Sequence, residues 1–216
     1  MVRGVSTAIV LTLMMTLSSL VSVFPAVENS QLDSNDESLP TSSKALIIWS
    51  GTMDVNNDFT VAAGDELRIY PGTIIQMGPA VRIYVDGKVV ADGTAADPIT
   101  FQVQSGFTWH NGFQFNSSSR NRGSSLRNVT FNDAQFGITM YDSDPVIEDG
   151  LFNNVDLVAI DLFDGSNPVI RRTTFAGGGQ DVHGSMTNWR YGIGLSIGAN
   201  SAPFVEDVNF TNQITR

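Results

Sequence analysis

DPVIEDGLF (144–152), NPVIRRTTF (167–175) and APFVEDVNF (202–210) align without gaps, and SSLRNVTF (124–131) fits the same frame. Their terminal phenylalanines, Phe131, Phe152, Phe175 and Phe210, stand 21, 23 and 35 positions apart, the last interval being one repeat plus an insertion. Phe101 in DPITF extends the series backwards across a gap of 30, one repeat carrying the polar stretch Asn116 to Ser125. A second register agrees: Ile138, Ile160 and Ile193 each follow a small residue, Gly137, Ala159 and Gly192, as Phe113 follows Gly112. A period of roughly 22 residues is too short for a propeller blade, which needs about 40, and the LxxLxL pattern of leucine-rich repeats is missing.

Around these repeats run short stretches of Val, Ile, Phe and Thr punctuated by Gly, Asn, Asp, Ser and Pro, with no long segment at helical period. Such a pattern makes strands. At about 3.3 Å per residue, one repeat supplies three short strands and three turns, and successive coils stack about 4.8 Å apart. The expected fold is all-β: a right-handed parallel β-helix, a three-sided solenoid of about 22 residues per coil, running over residues 44–216. Gly-Ile-x-x opens the first strand of a coil, Pro-Val-Ile forms the second, and the residues ending in Phe form the third. The phenylalanines then lie over one another inside, as do Leu126, Ile147, Ile170 and Val205. Between second and third strands the chain turns outward at Arg127-Asn128, Glu148-Asp149, Arg171-Arg172 and Glu206-Asp207. The first members alternate in sign, which predicts a ladder of ion pairs between neighbouring coils and gives Arg171 a structural role rather than uronate or phosphate binding.

Arg3 precedes an uncharged run from Ala8 to Phe24, the pattern of a signal peptide over residues 1–26, with Ala26 or Ser22 last before cleavage. Left uncut, a run of about 17 residues would serve as an anchor. Residues 27–43, VENSQLDSNDESLPTSS, read as a disordered linker. Export to the medium or the cell surface follows. The net charge of −10, with only 12 Lys and Arg, argues against nucleic acid as a partner and against membrane contact beyond the signal segment. No cysteine occurs, so disulfides, thiol catalysis and cysteine-bound zinc are excluded. The sequence stops six residues after Phe210, before another Gly-Ile strand. An uncapped last coil would pair end to end with another copy or continue in a longer chain.

GDELRIYPGTIIQM (64–77), VRIYVDGKVVADGTAADPITF (81–101) and TWHNGFQF (108–115) resemble the opening coils of pectin-lyase-like β-helix proteins, especially surface proteins built of parallel β-helix repeats. The resemblance covers residues 44 to 216 and concerns fold rather than a particular chemistry. It implies that a polysaccharide-cleaving site, where one exists, lies on the outward face of the first strands and their flanking loops.

That face carries Gln114, Thr139, Asp161 and Gly194, with Asn116, Tyr141, Phe163 and Ser196 two residues on. One carboxylate falls short of the two, roughly 5 to 9.5 Å apart, that glycoside hydrolysis uses, and of the several that a calcium-dependent lyase needs beside its base. Nor does an NTD, adjacent DD or GHG triplet of the polygalacturonase type occur. The insertion AGGGQDVHGSMTNWR (176–190) would lean over the same face with Asp181, His183, Trp189 and Arg190. Asp161, Asp181, His183 and Arg190 are therefore the catalytic candidates, and Tyr141, Phe163 and Trp189 the ligand-binding ones. The plainer reading is a Gly-rich loop with Trp189 packed back on the coil.

DVNND (54–58) opens like a calcium loop, but Phe59 and Asp65 stand where Gly and Glu are needed, so a turn is expected. YDSDP (141–145) and DLFDGSNP (161–168) stack in adjacent coils and read as turns as well. No metal site or cofactor is implied, calcium being the one ion that the spacing would suit. His110 is expected at an exposed coil position, and Asn116, Asn128 and Asn209 begin glycosylation sequons. Two functions are compatible with these residues. One is an exported surface module with a structural, adhesive or glycan-binding role and polysaccharides or surface glycans as partners. The other is a polysaccharide lyase or glycoside hydrolase with its site near 176–190, which requires Asp161, Asp181 and His183 to converge.

Overall fold

The computed structural model describes residues 44–178 and 192–211. The segments expected as signal peptide and linker, and the candidates Asp181, His183, Trp189 and Arg190, lie outside the described residues. Within them the chain winds through three parallel sheets. The first holds six strands, from Phe59–Val61 to Ile193–Ile197. The second holds seven, from Leu46–Trp49 to Phe204–Glu206, and the third seven, from Thr52–Val55 to Asn209–Thr211. Each strand pairs with its equivalent one coil away, three strands further along the chain, which is the connectivity of a three-sided parallel β-helix.

The phenylalanine column forms as the repeat predicts. Phe101, Phe131, Phe152, Phe175 and Phe210 are successive register partners in the third sheet. Their ring centroids stand 4.8, 5.0, 5.3 and 4.8 Å apart, with interplanar angles of 10°, 4°, 21° and 16°. Parallel strands hold equivalent side chains about 4.8 Å apart, a spacing that flat rings fill without voids. Burying each ring contributes about 1.5 to 3 kcal/mol. Phe101 through Phe175 are almost wholly buried, whereas Phe210, in the last described coil, is half exposed together with Ile197 and Phe204. Towards the N-terminus the column continues as Ile75 and Met53.

The small residues have a spatial cause. Gly112, Gly137 and Ala159 precede register partners in the first sheet, and the next place is taken by Gly194, because Ile160 pairs with Leu195 and Val158 with Ile193. A Cβ on Gly137 would lie 2.5 Å from the Ala159 oxygen and 2.8 Å from the Phe152 ring, and one on Gly194 would lie 2.5 Å from the Phe210 ring. A Cβ on Gly112 would meet the Gly137 oxygen at 1.9 Å. The phenylalanine stack thus presses against this column. The expected alignment of Ile193 and Gly192 with the small-residue motif is corrected by two positions. A slip of two keeps the same faces in and out, so the alternation in Ile193-Gly194-Leu195-Ser196-Ile197 could not reveal it.

The charge ladder also forms, and starts one coil earlier than the repeats do. Asp92, Arg127, Glu148, Arg171 and Glu206 are register partners. Successive ion pairs measure 3.4, 2.9, 3.3 and 3.0 Å. Glu148 lies between two guanidinium groups. The hydrogen bond from Arg127 outweighs the opposing effect of burial and, with that from Arg171, holds its carboxyl below the ordinary range. Glu148→Gln is expected to cost about 1 kcal/mol, which lowers the melting midpoint by about 2 to 4 °C. The loss should shrink in high salt, and a salt-independent loss would argue against the ladder.

The second members of the polar pairs, Asn128, Asp149, Arg172 and Asp207, all adopt left-handed backbone, with φ of 46°, 54°, 46° and 53°. Asn and Asp visit that region readily, Arg less so. Arg172 is held there by a two-pronged bond to Asp149, at 2.8 and 2.9 Å.

Candidate functional site

In the first sheet, Phe113 and Phe115, Ile138 and Met140, and Ile160 and Leu162 are fully buried and face the core. Gln114, Thr139 and Asp161 between them point away from it and stand in register. The next place in that column belongs to Ser196, not Gly194, by the same two-residue correction. Pointing outward does not make this face open. Thr139 and Asp161 are 5% and 2% exposed, and Asp161 is already engaged by a partner.

The other half of the face is a closed polar chain. An Arg82 Nη1–H donates to Gln114 Oε1 at 2.8 Å, and Gln114 Nε2 donates to Asn116 Oδ1 at 3.0 Å. Asn116 Nδ2 and Ser118 Oγ both donate to Asp86 Oδ1, at 3.0 and 2.7 Å. The Arg82 guanidinium also lies over the Phe136 ring, 5.6 Å from its centroid. Among the three sequon asparagines, Asn116 is therefore committed to this chain, and Asn128 Nδ2 donates to the Gly93 carbonyl at 3.2 Å. Asn209 alone of the three is exposed.

Two residues beyond Thr139 and Asp161, Tyr141 and Phe163 are register partners, half-buried, with rings 5.1 Å apart and 13° from parallel. The turns that follow use their acids locally. Asp142 and Asp164 take left-handed backbone, Asp142 forms an ion pair with Arg120, and Asp144 accepts the Asn121 N–H at 2.7 Å. In DVNND, Asn56 Oδ1 accepts from Gln104 at 2.8 Å and Asp58 Oδ1 from the Arg82 N–H at 2.9 Å. Each of the three segments begins in a strand, ending at Val55, Tyr141 and Phe163, and only the residues after it make the expected turn. Among the described residues, no group of three or more His, Asp and Glu side chains is placed to hold a metal ion.

His110 overturns its expectation, for it is completely buried. Its Nδ1 accepts the Gly112 N–H at 3.0 Å, and its Nε2 stands 3.2 Å from the Asn132 carbonyl oxygen. A carbonyl only accepts, so Nε2 carries the proton and the ring is neutral. Burial pushes the imidazole down to about 4, the bond to Asn132 restoring part of the loss. The ring supplies hydrogen bonds to backbone at the corner between third and first sheets, where ladder pairing is interrupted. A lone polar residue outside the repeat has no periodic signature, and only the neighbouring Gly112 marks the site.

No family model, curated protein or solved structure matches this chain. The parallel β-helix therefore stands on its own register and packing.

Proposed function

We propose that this chain is an exported, surface-exposed β-helix module of the pectin-lyase-like type that holds glycans without cleaving them. The stacked pair Tyr141 and Phe163 carries the reading. Two rings stacked on one another at the edge of an outward sheet face set their edges side by side in a partly apolar strip, a surface that the C–H face of a sugar ring can cover. The polar chain from Arg82 to Asp86 supports it, because side chains linked to one another through Gln114 and Asn116 favour a rigid surface over a reacting one.

The test is to pass the purified chain over acidic and neutral polysaccharides, scoring both retention and released product. Retention without release is expected. Tyr141→Ala should weaken retention roughly twofold to tenfold, the equivalent of about 0.5 to 1.5 kcal/mol for a ring contact. Released oligosaccharides would replace this reading with the lyase or hydrolase one. Failure to retain any glycan would end it.

A further inference from the structure

A groove of about 570 Å3 runs along the corner where the first sheet turns into the second, over the N-terminal ends of the second sheet's first strands. Lys44, Arg68, Lys88 and Arg122 line it, together with Asp65 and Glu66. Four of the chain's 12 cationic side chains thus gather at one place on a protein of net charge −10.

The two acids are turned to internal use. Asp65 Oδ1 accepts the Ala45 N–H at 2.9 Å. Glu66 lies between Lys88, at 3.1 Å, and Arg68, to which it is also paired. Burial alone would raise the Glu66 carboxyl, but the hydrogen bonds from Lys88 and Arg68 together outweigh it and keep the group ionised. Glu66 therefore fixes two cationic heads in place, and each retains N–H donors beyond those it spends there. Among the described residues, neither Lys44 nor Arg122 meets a carboxylate. The overhanging insertion after Phe113–Phe115 supplies Arg122, and Asn121 beside it is fastened to Asp144. Glu66 and Lys88 are register partners in adjacent coils. Lys44 precedes the first of these strands, and Arg122 precedes the strand after Lys88. Lys44, Arg68, Lys88 and Arg122 thus come one from each of four successive coils, whose backbones stack about 4.8 Å apart.

We propose that this groove binds an anionic oligosaccharide, with Lys44, Arg68, Lys88 and Arg122, one from each of four successive coils, meeting carboxylate or sulfate groups along the sugar chain. One charge per coil suits a polymer carrying about one anion per sugar better than nucleic acid, whose strands carry a phosphate every 3.4 Å or so and would be repelled by the surrounding acidic surface. The groove is separate from Tyr141 and Phe163, so this inference holds whether or not those rings hold a sugar.

The full chain would be titrated with de-esterified polygalacturonate oligomers, with the same oligomers fully methyl-esterified, with a sulfated oligosaccharide of equal length, and with a short DNA duplex. Saturable binding of the carboxylated or sulfated oligomers is expected, falling as salt rises, with little binding of the neutral esters or of DNA. Preference between the first and third probes identifies carboxylate or sulfate as the recognised group. The double variant K44Q/R122Q should bind about tenfold more weakly at an unchanged melting midpoint, and K44R/R122K should retain affinity. Equal affinity of the double glutamine variant, equal binding of the neutral esters, or tighter binding of DNA would each overturn the proposal. Loss of binding in Tyr141→Ala with none in the double variant would overturn it while leaving the ring platform standing.

Discussion

Replacing Phe131 with alanine is expected to remove about 3 to 5 kcal/mol of stability. The ring is fully buried, lies between Phe101 and Phe152 at 4.8 and 5.0 Å, and meets Phe113 edge-on at 6.1 Å. Its neighbours cannot close the gap, because ladder hydrogen bonds to both adjacent coils fix the coil spacing. The cavity therefore persists, and its cost adds to the lost transfer energy. Phe210→Ala is the internal control. That ring is 50% exposed and, among the described residues, stacks against Phe175 alone, so about 1 kcal/mol or less should be lost. Urea midpoints of the two variants at neutral pH decide the matter, and equal losses would show that the stack is not a continuous column.

The second large effect is a loss of stability in mild acid. His110 titrates near 4 in the folded chain against an ordinary 6.5, because burial disfavours the imidazolium. Between those values the unfolded chain binds a proton that the folded chain refuses, so stability falls as pH falls. The contribution is complete above pH 6.5, declines by about 1.4 kcal/mol per pH unit within the window, and amounts to roughly 3 kcal/mol by its lower end. Glu66, Glu148 and Asp149, held below the ordinary carboxylate range by their cationic partners despite burial, add their losses only at lower pH. Denaturant midpoints taken from pH 7 to 4.5 should therefore slope in the wild type and be much flatter in His110→Gln, whose baseline will be lower. An unchanged slope in His110→Gln would remove the residue from the account.

What could be read in the sequence was whatever recurs. The phenylalanines, the Leu126 to Val205 column and the alternating charges repeat at the coil period, and each occupies the register that the period assigns. The first coils were legible only as strands, because Met53 and Ile75 take the place of phenylalanine and supply no anchor for alignment. In the candidate face, the pairing of Tyr141 with Phe163 was legible for the same reason of period. The burial of Asp161 was not, since alternation gives the direction of a side chain and says nothing of what lies beside it.

The sequence by itself determined the winding: apolar residues at fixed intervals must be buried, and in a parallel solenoid the way to bury them all is to set equal positions on top of one another. Tertiary structure alone decided the polar chemistry. The neutral His110, the linked Arg82 to Asp86 chain and the cationic groove each join residues from different coils. The period sets His110 beside Asn132 and Glu66 beside Lys88, but it encodes neither the burial of the imidazole nor the inserted residues Asn116 and Arg122 that complete the other groups, because these depend on which corner of the coil each insertion turns.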